Sequence, residues 1–191
     1  MIEFIAGIDE AGRGPLAGPV VAAAVILDPN QSIAGLADSK LLSEKKREAL
    51  FDEIIIKALA YGIGWASPAE IADVNILQAT FLAMKRALLD LNIHPTEVWI
   101  DGNRLPVIPQ YSLKAIVDGD ATIPQISAAS IIAKVCRDRI MTKYDRWYPH
   151  YGFREHKGYG TKKHYDSLMK WGACPIHRRS FNLDRQQTLF E

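Results

Sequence analysis

Four carboxylates follow short apolar segments that have the composition of buried strands. Asp9 and Glu10 close the first such segment, Asp101 closes a later one, and Asp120 lies just after another. Runs of this length, rich in β-branched and aromatic residues and ended by glycine, predict strands, so each acid is expected at a strand end. Burying such charges is costly unless a cation compensates. A metal site is therefore the economical interpretation, and a solvated strand end is the alternative.

The acid set consists of oxygen donors, with no cluster of histidine or cysteine beside it. Oxygen ligands favour Mg²⁺ or Mn²⁺ over zinc. Four carboxylates in one pocket repel one another, and two divalent ions roughly 3.5–4 Å apart would neutralise them and clamp a scissile phosphate. One ion would activate water and the other would stabilise the leaving oxygen. The predicted chemistry is two-metal-ion hydrolysis of a phosphate ester.

The segments that must position these acids alternate between strand and helix patterns. Strands are predicted at 4–8, 17–27, 58–66, 97–101 and 113–117, the second returning antiparallel beside the first. Helices are predicted from the cap Ser43 to about Lys57, from Ser67-Pro68, from Asn75 to just before His94, and over 126–144. This alternation indicates an α/β domain, in which ligands gather outside strand ends.

Two of these helices carry patterns that predict their packing. In the helix after Asn75, apolar residues recur at steps of four, three, four and three, which predicts a core face of Leu77, Phe81, Met84, Leu88 and Leu91. The helix over 126–144 begins with small residues, which would let it lie close on the sheet: Ser127, Ala128, Ala129 and Ser130.

Composition excludes several classes of protein. The 191 residues, 48% apolar and 24% charged, suffice for one domain with a small appendage. No run of about 20 apolar residues predicts a membrane span, and the amino terminus does not resemble a signal peptide, so a cytoplasmic protein is expected. Cys136 and Cys174 lack metal-ligand spacing and are expected to be structural and unpaired.

Charge is distributed unevenly along the chain. Residues 1–133 hold 10 Lys and Arg against 16 Asp and Glu, whereas residues 134–190 hold 13 against 5. The basic segment also contains aromatics, among them Trp147, Tyr151 and Tyr159. Aromatics interleaved with cations suit stacking on nucleotides and contact with their phosphates. Nucleic-acid binding is therefore predicted, and a solvated basic helix surface is the alternative.

In its motifs the chain resembles prokaryotic ribonuclease HII. The matching segments occur in order across nearly the whole sequence: Gly-Ile-Asp-Glu-Ala-Gly-Arg-Gly-Pro-Leu-Ala-Gly at 7–18, Asp38-Ser39-Lys40, Asn75-Ile76-Leu77, Ile100-Asp101-Gly102-Asn103, Gly119-Asp120, Ile-Ser-Ala-Ala-Ser-Ile-Ile-Ala-Lys-Val at 126–135, and His-Lys-Gly-Tyr-Gly-Thr at 156–161. An ordered set of this length is far more specific than any one motif.

The resemblance implies an α/β ribonuclease H-like fold, with a central mixed five-stranded sheet flanked by helices and a carboxyl-terminal helical extension. The catalytic domain is expected at 1–145, the basic extension at 146–185 in the same compact unit, and a tail at 186–191. The implied partners are RNA–DNA hybrids and duplex DNA that contains ribonucleotides. A monomer is expected.

The resemblance also implies the roles of site residues. Asp9, Glu10, Asp101 and Asp120 would be catalytic and would bind the Mn²⁺ or Mg²⁺ ions. The backbone of the loop formed by Gly12, Arg13 and Gly14 would contact the ribose 2′-hydroxyl, and Tyr159 would stack on the sugar beyond the junction. The remaining substrate-binding residues are expected to be Lys40, Ser130 and Lys134. An ordinary loop lysine is the alternative for Lys40.

Three features leave questions open. The family usually has lysine where this chain has Asp118, which is expected to point outward. Adjacent strand residues face opposite sides of a sheet, so only a bend or a strand end would let Asp9 and Glu10 share one site. His156, His164 and His177 could act as acids or phosphate donors, or serve in the core or on the surface.

The tail ends in Gln186-Gln187-Thr188-Leu189-Phe190-Glu191, which is similar to short peptides that engage the bacterial sliding clamp. Leu189 and Phe190 would enter an apolar pocket and Gln186 would bind at its rim. The alternative is that the two apolar residues fold back onto the domain or fray.

Two other functions compete with the enzyme that the resemblance implies. One is a nucleic-acid-binding module without turnover, which the complete acid set disfavours. The other is a metal-dependent nuclease of different specificity, such as a DNA nuclease on the same scaffold. The glycine-flanked Arg13 and Tyr159 favour the ribonuclease over this alternative.

Overall fold

A mixed five-stranded sheet forms the centre of the computed structural model, which describes residues 4–36 and 42–184. Its strands are β1 (Ile5–Ala11), β2 (Val20–Leu27), β3 (Ala58–Ala66), β4 (Glu97–Asp101) and β5 (Leu113–Ile116). The order across the sheet is β3-β2-β1-β4-β5. β2 pairs antiparallel with β1 and β3, whereas β4 pairs parallel with β1 and β5. The predicted fold class is confirmed.

Helices cover both faces of the sheet. They are α1 (Glu44–Lys57), α2 (Pro68–Leu89), α3 (Gly119–Thr122), α4 (Pro124–Trp147), α5 (Phe153–His156) and α6 (Lys162–Trp171). One core cluster lies between the sheet and α2, and a second lies between the sheet and α1 with α4. Within the described residues, no helix is both long and apolar enough to cross a bilayer.

The second strand begins three residues later than predicted. Gly18 has a φ of 86° and Pro19 has no amide to donate, so the chain turns before Val20 starts the ladder. Ala17 instead forms an isolated bridge with His177 of the carboxyl-terminal segment.

The predicted boundary at Asn75 appears as a kink within α2. Asn75 has a φ of 70°, and its side-chain Oδ1 accepts bonds from the amides of Leu77 at 3.0 Å and Gln78 at 3.1 Å. Asn75 therefore caps a new helical segment that follows directly on the first one. The first segment begins at Pro68, as the Ser67-Pro68 pattern predicted, and Ser67 and Glu70 form a capping box there.

Small residues bring the helices close to the sheet. A Cβ on Gly64 of β3 would lie 2.1 Å from the carbonyl oxygen of Ala83 in α2, and one on Gly7 of β1 would lie 2.2 Å from the carbonyl carbon of Gln125 in α4. The core face of α2 consequently includes Ala79, Ala83 and Ala87 beside the predicted Met84 and Leu88. Leu77 and Phe81, predicted to be core, are only partly buried.

The outer edge of β3 is partly covered by a side chain. Asp90, at the carboxyl end of α2, accepts a hydrogen bond from the Ile63 amide at 2.9 Å. Beyond the sheet, α5 and α6 pack on residues from the start of the chain and from α4 in a third apolar cluster, built around Leu16, Met141, Phe153 and Leu168.

Candidate active site

Strand pairing brings the first two acidic segments to the same end of the sheet, where the carboxyl ends of β1 and β4 lie. β1 and β4 are parallel, and Ile8 pairs with Ile100, so Asp9 and Asp101 are the next residues in register. Asp9 is only 7% exposed. Its Oδ1 accepts the Glu10 amide at 2.7 Å, and the Ser130 hydroxyl of α4 donates to the same carboxylate. The close packing of α4 on Gly7 thus delivers Ser130 to Asp9.

Glu10 points away from Asp9, as strand alternation requires. Ala6 and Ile8 pack in the α2 cluster, which places Glu10 on the α2 side and Asp9 on the α4 side. Both lie near the end of β1, and besides burial the charge of Asp101 contributes to raising the pKa of each. The two carboxylates therefore face opposite sides of the sheet, and each interacts electrostatically with Asp101.

The backbone of α3 places Asp120 against Asp101. The Asp101 Oδ1 atom accepts amide hydrogen bonds from Gly119 at 2.8 Å and from Asp120 at 3.3 Å. Asp120 is 2% exposed. Asp118 has a φ of 52° and is exposed, in agreement with its expected outward position.

Negative charge accumulates at this edge. Burial raises the pKa of Asp9 well above its ordinary value, and the charges of Glu10 and Asp101 raise it further. Burial also raises the pKa of Glu10, against the opposing effect of Arg13, whose Nη1 lies 3.3 Å from Glu10 Oε1. The charge and the oxygen donors fit a hard divalent cation.

The acids do not form a closed metal cage by themselves. Among residues 4–36 and 42–184, no three Asp, Glu, His or Cys side chains are grouped tightly enough to enclose an ion. The fold places Asp9, Glu10 and Asp101 close enough for their charges to interact, and it places Asp120 beside Asp101 through a backbone hydrogen bond.

Two clefts meet at Glu10. The first is lined by residues from β1, α1, α4 and the loop before α6, including Gly12, Arg47, Ser130, Lys134 and Tyr159. The second runs along α2 past the end of β4 and includes Arg13, Phe81, Asp101 and Arg104. The acidic edge therefore has cations on both sides, as a site for a polyanion requires.

Most of the predicted substrate contacts lie in the first cleft. Tyr159 is 45% exposed, and a Cβ on Gly14 would be 3.8 Å from its ring. Lys134 also lines the cleft, although its Nζ is held 2.8 Å from Asp138 Oδ1. Lys40, Gln186, Leu189 and Phe190 lie outside the described residues.

Sequence reasoning did not identify Arg47 and Arg104 as cleft residues. Arg47 of α1 lines the first cleft, and its Nη2 donates to the Leu42 carbonyl at 2.8 Å. Arg104 lines the second cleft, just after the Asp101-Gly102-Asn103 motif. The proximity of Arg104 to that motif was an available signal, whereas Arg47 looked like one of three consecutive cations on a solvated helix.

The three histidines form a neutral structural network. The His156 Nε2 atom donates to the Tyr151 carbonyl at 2.7 Å, and its Nδ1 accepts the Gly158 amide at 3.2 Å. The His164 Nδ1 atom donates to the Tyr159 carbonyl at 2.9 Å, which leaves its Nε2 to accept from His177 Nε2 at 2.9 Å. His177 Nδ1 then accepts the Cys174 amide at 2.9 Å. These bonds hold the loop that carries Tyr159.

Comparison with known proteins identifies the class to which this fold and site belong. The family model described as Ribonuclease HII matches residues 6–184. The chain is 59% identical over 179 residues to Ribonuclease HII of Burkholderia pseudomallei strain 668, covering 94% of this chain and 83% of the relative. The fold is that of a family of metal-dependent endoribonucleases.

Solved structures agree with this assignment. Ribonuclease H2 from Pyrococcus horikoshii OT3 matches with a TM-score of 0.77 and 30% identity, covering 95% of both chains. A structure described as the PCNA:RNase HII complex from Archaeoglobus fulgidus matches with a TM-score of 0.80 and 27% identity, covering 97% of this chain and 98% of that one. This chain belongs to the ribonuclease HII family, whose members are divalent-metal-dependent endonucleases that act on RNA–DNA hybrids.

We expect the histidine network to make stability depend on pH. Burial lowers the pKa of His164 and of His177 to about 4, whereas an unfolded histidine titrates near 6.5. Between these pH values the unfolded chain binds more protons than the folded one. The stability that the two neutral histidines contribute is therefore fully present above about pH 6.5 and is lost as the pH falls toward 4. At pH 5 the free energy of unfolding should be lower by roughly 2 kcal/mol for each of the two histidines.

Urea denaturation at pH 7.5 and pH 5, in buffer without divalent metal, measures this loss. His150 is exposed and provides the control. His150→Gln should keep the wild-type pH dependence, whereas His177→Gln should reduce it. The same pH dependence in the wild type and in His177→Gln would contradict the neutral network, because comparing these two proteins cancels the opposite effect of Asp9 and Glu10, whose pKa values are raised.

Proposed function

We propose that this protein cuts duplex DNA on the 5′ side of a single embedded ribonucleotide, as well as the RNA strand of hybrids, and that it leaves 3′-hydroxyl and 5′-phosphate ends. The proposal is based on the proximity of Asp9, Glu10 and Asp101 near the carboxyl ends of β1 and β4, between two clefts that are lined by cations. Ribonucleotide removal and primer processing are the cellular roles that fit such cleavage.

Asp9, Glu10, Asp101 and Asp120 would hold two Mg²⁺ or Mn²⁺ ions. When bound, such ions supply an activated water molecule and stabilise the leaving oxygen. The protein contributes the fixed carboxylates: Ser130 and the Glu10 amide orient Asp9, and the amides of α3 orient Asp101. Because these donors are fixed before substrate binds, little reorganisation is needed at the site.

Discrimination for a ribonucleotide would come from the first cleft. The backbone of the Gly12-Arg13-Gly14 loop would contact the 2′-hydroxyl, the group that distinguishes RNA from DNA. Tyr159 stands against this loop with nearly half of its surface exposed, so its ring is available to stack on the neighbouring sugar. Lys134, Ser130 and Lys40 would contact the backbone of the substrate.

The tail would recruit the enzyme to newly made DNA. The structural relative from Archaeoglobus fulgidus is described in a complex with PCNA. Gln186, Leu189 and Phe190 have the form of a clamp-binding peptide, and attachment through such a tail raises the local concentration of the enzyme on DNA.

Asp101→Asn should abolish metal-dependent cleavage while largely preserving hybrid binding, because the carboxylate would serve the metals and other groups hold the nucleic-acid backbone. Turnover should fall by much more than tenfold, a step of about 1.4 kcal/mol in activation free energy. Single-turnover cleavage and anisotropy binding measure the two quantities. The exposed Asp118→Asn is the matched control and should retain activity. A retained turnover above about one tenth in Asp101→Asn would refute the ligand assignment.

Tyr159→Ala should weaken cutting at a single embedded ribonucleotide more than cutting of a long RNA–DNA hybrid. Stacking contributes about 1–3 kcal/mol, which is sufficient to create this preference. The two rates are compared on oligonucleotides of the same sequence, with Tyr159→Phe as the control that keeps the ring. Equal losses on both substrates would instead assign Tyr159 to packing.

Leu189→Ala combined with Phe190→Ala should abolish binding to the sliding clamp and leave cleavage of short oligonucleotides unchanged, since the tail would recruit the enzyme without taking part in cleavage. Calorimetric titration of the clamp with wild type and the double variant measures this. Absence of wild-type binding, or binding that the double change does not alter, would eliminate the recruitment role.

A further inference from the structure

A buried arginine from the carboxyl-terminal segment holds the loop that faces the first cleft. Arg178 has 0% of its surface exposed. Its Nη1 donates to the Arg13 carbonyl at 2.8 Å, its Nη2 donates to the Gly12 carbonyl, and its Nε donates to the Gly18 carbonyl at 2.9 Å. Three side-chain hydrogen bonds thus join one guanidinium to both ends of the turn between β1 and β2.

A second buried guanidinium supports the same turn. Arg137 of α4 is 1% exposed and donates from Nε to the Pro19 carbonyl and from Nη2 to the Ala17 carbonyl, both at 3.1 Å. Gly12 has a φ of 97°, and a Cβ on it would lie 2.0 Å from Arg137 Nε. The Arg137 Cζ atom is also 5.9 Å from the Tyr159 ring centroid. Arg137 therefore fills the space between the turn and Tyr159.

These contacts determine which backbone groups the loop can offer. The carbonyls of Gly12 and Arg13 are occupied by Arg178, whereas the amides of Arg13 and Gly14 make no hydrogen bond to another residue within 4–36 and 42–184. Amide donors are therefore the groups that remain for a ligand. Donors suit the oxygen of a ribose hydroxyl, and a free carbonyl there would repel phosphate oxygens.

We propose that Arg178 is a positioning residue for ribose discrimination, which fixes the Gly12-Arg13-Gly14 loop so that its amides face the 2′-hydroxyl. This inference rests on the proposed function and adds a residue to it. It also assigns a specific role to part of the carboxyl-terminal segment, where the adjacent Arg179 is exposed.

Lysine cannot reproduce this arrangement. The planar guanidinium reaches carbonyls on both sides of the turn in a fixed geometry, whereas an ammonium group is a single point on a flexible stem. Burial, and next the charge of Arg137, lower the pKa of Arg178 to about 9. The positive charge is therefore held here at an energetic cost, which the hydrogen bonds to the loop offset.

The test compares affinity for two duplexes of identical sequence, one all DNA and one with a single ribonucleotide, in EDTA so that cleavage does not occur. The variants are Arg178→Lys, Arg178→Met and the matched control Arg179→Met. In both Arg178 variants the ribonucleotide-to-DNA affinity ratio should fall by about fivefold, as expected for loss of one hydrogen bond. Affinity for the all-DNA duplex should stay within about twofold, because phosphate contacts remain. Arg179→Met should retain the wild-type ratio.

Thermal denaturation of each variant sets a common temperature at which all the proteins are folded. A wild-type ratio in folded Arg178→Lys would overturn the proposal, and so would failure of both Arg178 variants to fold at any temperature, since the role would then be architectural. If the wild type does not cut the ribonucleotide duplex when Mn²⁺ replaces EDTA, the proposed function fails. If it cuts that duplex but shows no preference for it in affinity, there is no ribose contact for Arg178 to position, and the role of Arg178 fails. A wild type that discriminates normally together with unaltered Arg178 variants removes only the role of Arg178.

Discussion

Repulsion between buried carboxylates is the constraint around which this protein is built. Parallel pairing of β1 with β4 sets Asp9 beside Asp101, and the fit of α4 on Gly7 leaves little water around Asp9. Such a concentration of charge lowers the stability of the folded chain, and bound cations would relieve the repulsion. The surrounding elements supply rigidity: α3 fixes Asp101 through its amides, and α4 fixes Asp9 through Ser130.

The cations near the site have two different positions, one group at the surface of the clefts and one buried beneath the β1–β2 turn. Arg13, Arg47 and Lys134 line the clefts, where a polyanion would meet them. Arg137 and Arg178 are fully buried, and their hydrogen bonds go to backbone carbonyls. The distribution of charge along the sequence does not distinguish the cleft-lining cations from the buried ones.

Sequence predicted the elements that are locally determined. The caps Ser43 and Ser67 begin helices where their patterns indicated, and the strand at Glu97–Asp101 has the predicted bounds. The small residues at 127–130 lie buried or partly buried against the sheet as expected. These features depend on hydrogen bonds and contacts between residues that are close in sequence or repeat with a regular period.

The errors concern residues whose position depends on distant partners. Phe81 packs against the first core cluster while partly buried, but Leu77 remains at its rim, because the glycines of β3 draw the alanine face of α2 inward. The carboxyl-terminal segment has no regular period. For its histidines the sequence left open roles as acids or phosphate donors and roles in the core or on the surface, and the structure buries His164 and His177. Arg178, for which the sequence predicted no role, is also buried. In a segment without a regular period, tertiary contacts determine which side chains face the core, and no periodic pattern in the sequence reveals them.

The hydrogen bond from the Ile63 amide to Asp90 affects whether two molecules of this protein can associate through the edge of the sheet. β3 is an edge strand, and its unpaired backbone groups could template the addition of a strand from a second molecule. The Asp90 carboxylate occupies one of those amides and places a negative charge at the sheet margin. A strand that pairs at Ile63 would have to displace the Asp90 carboxylate from this amide and would reduce the access of water to its charge, which is unfavourable. A helix cap thereby also protects the folded protein against edge-to-edge aggregation.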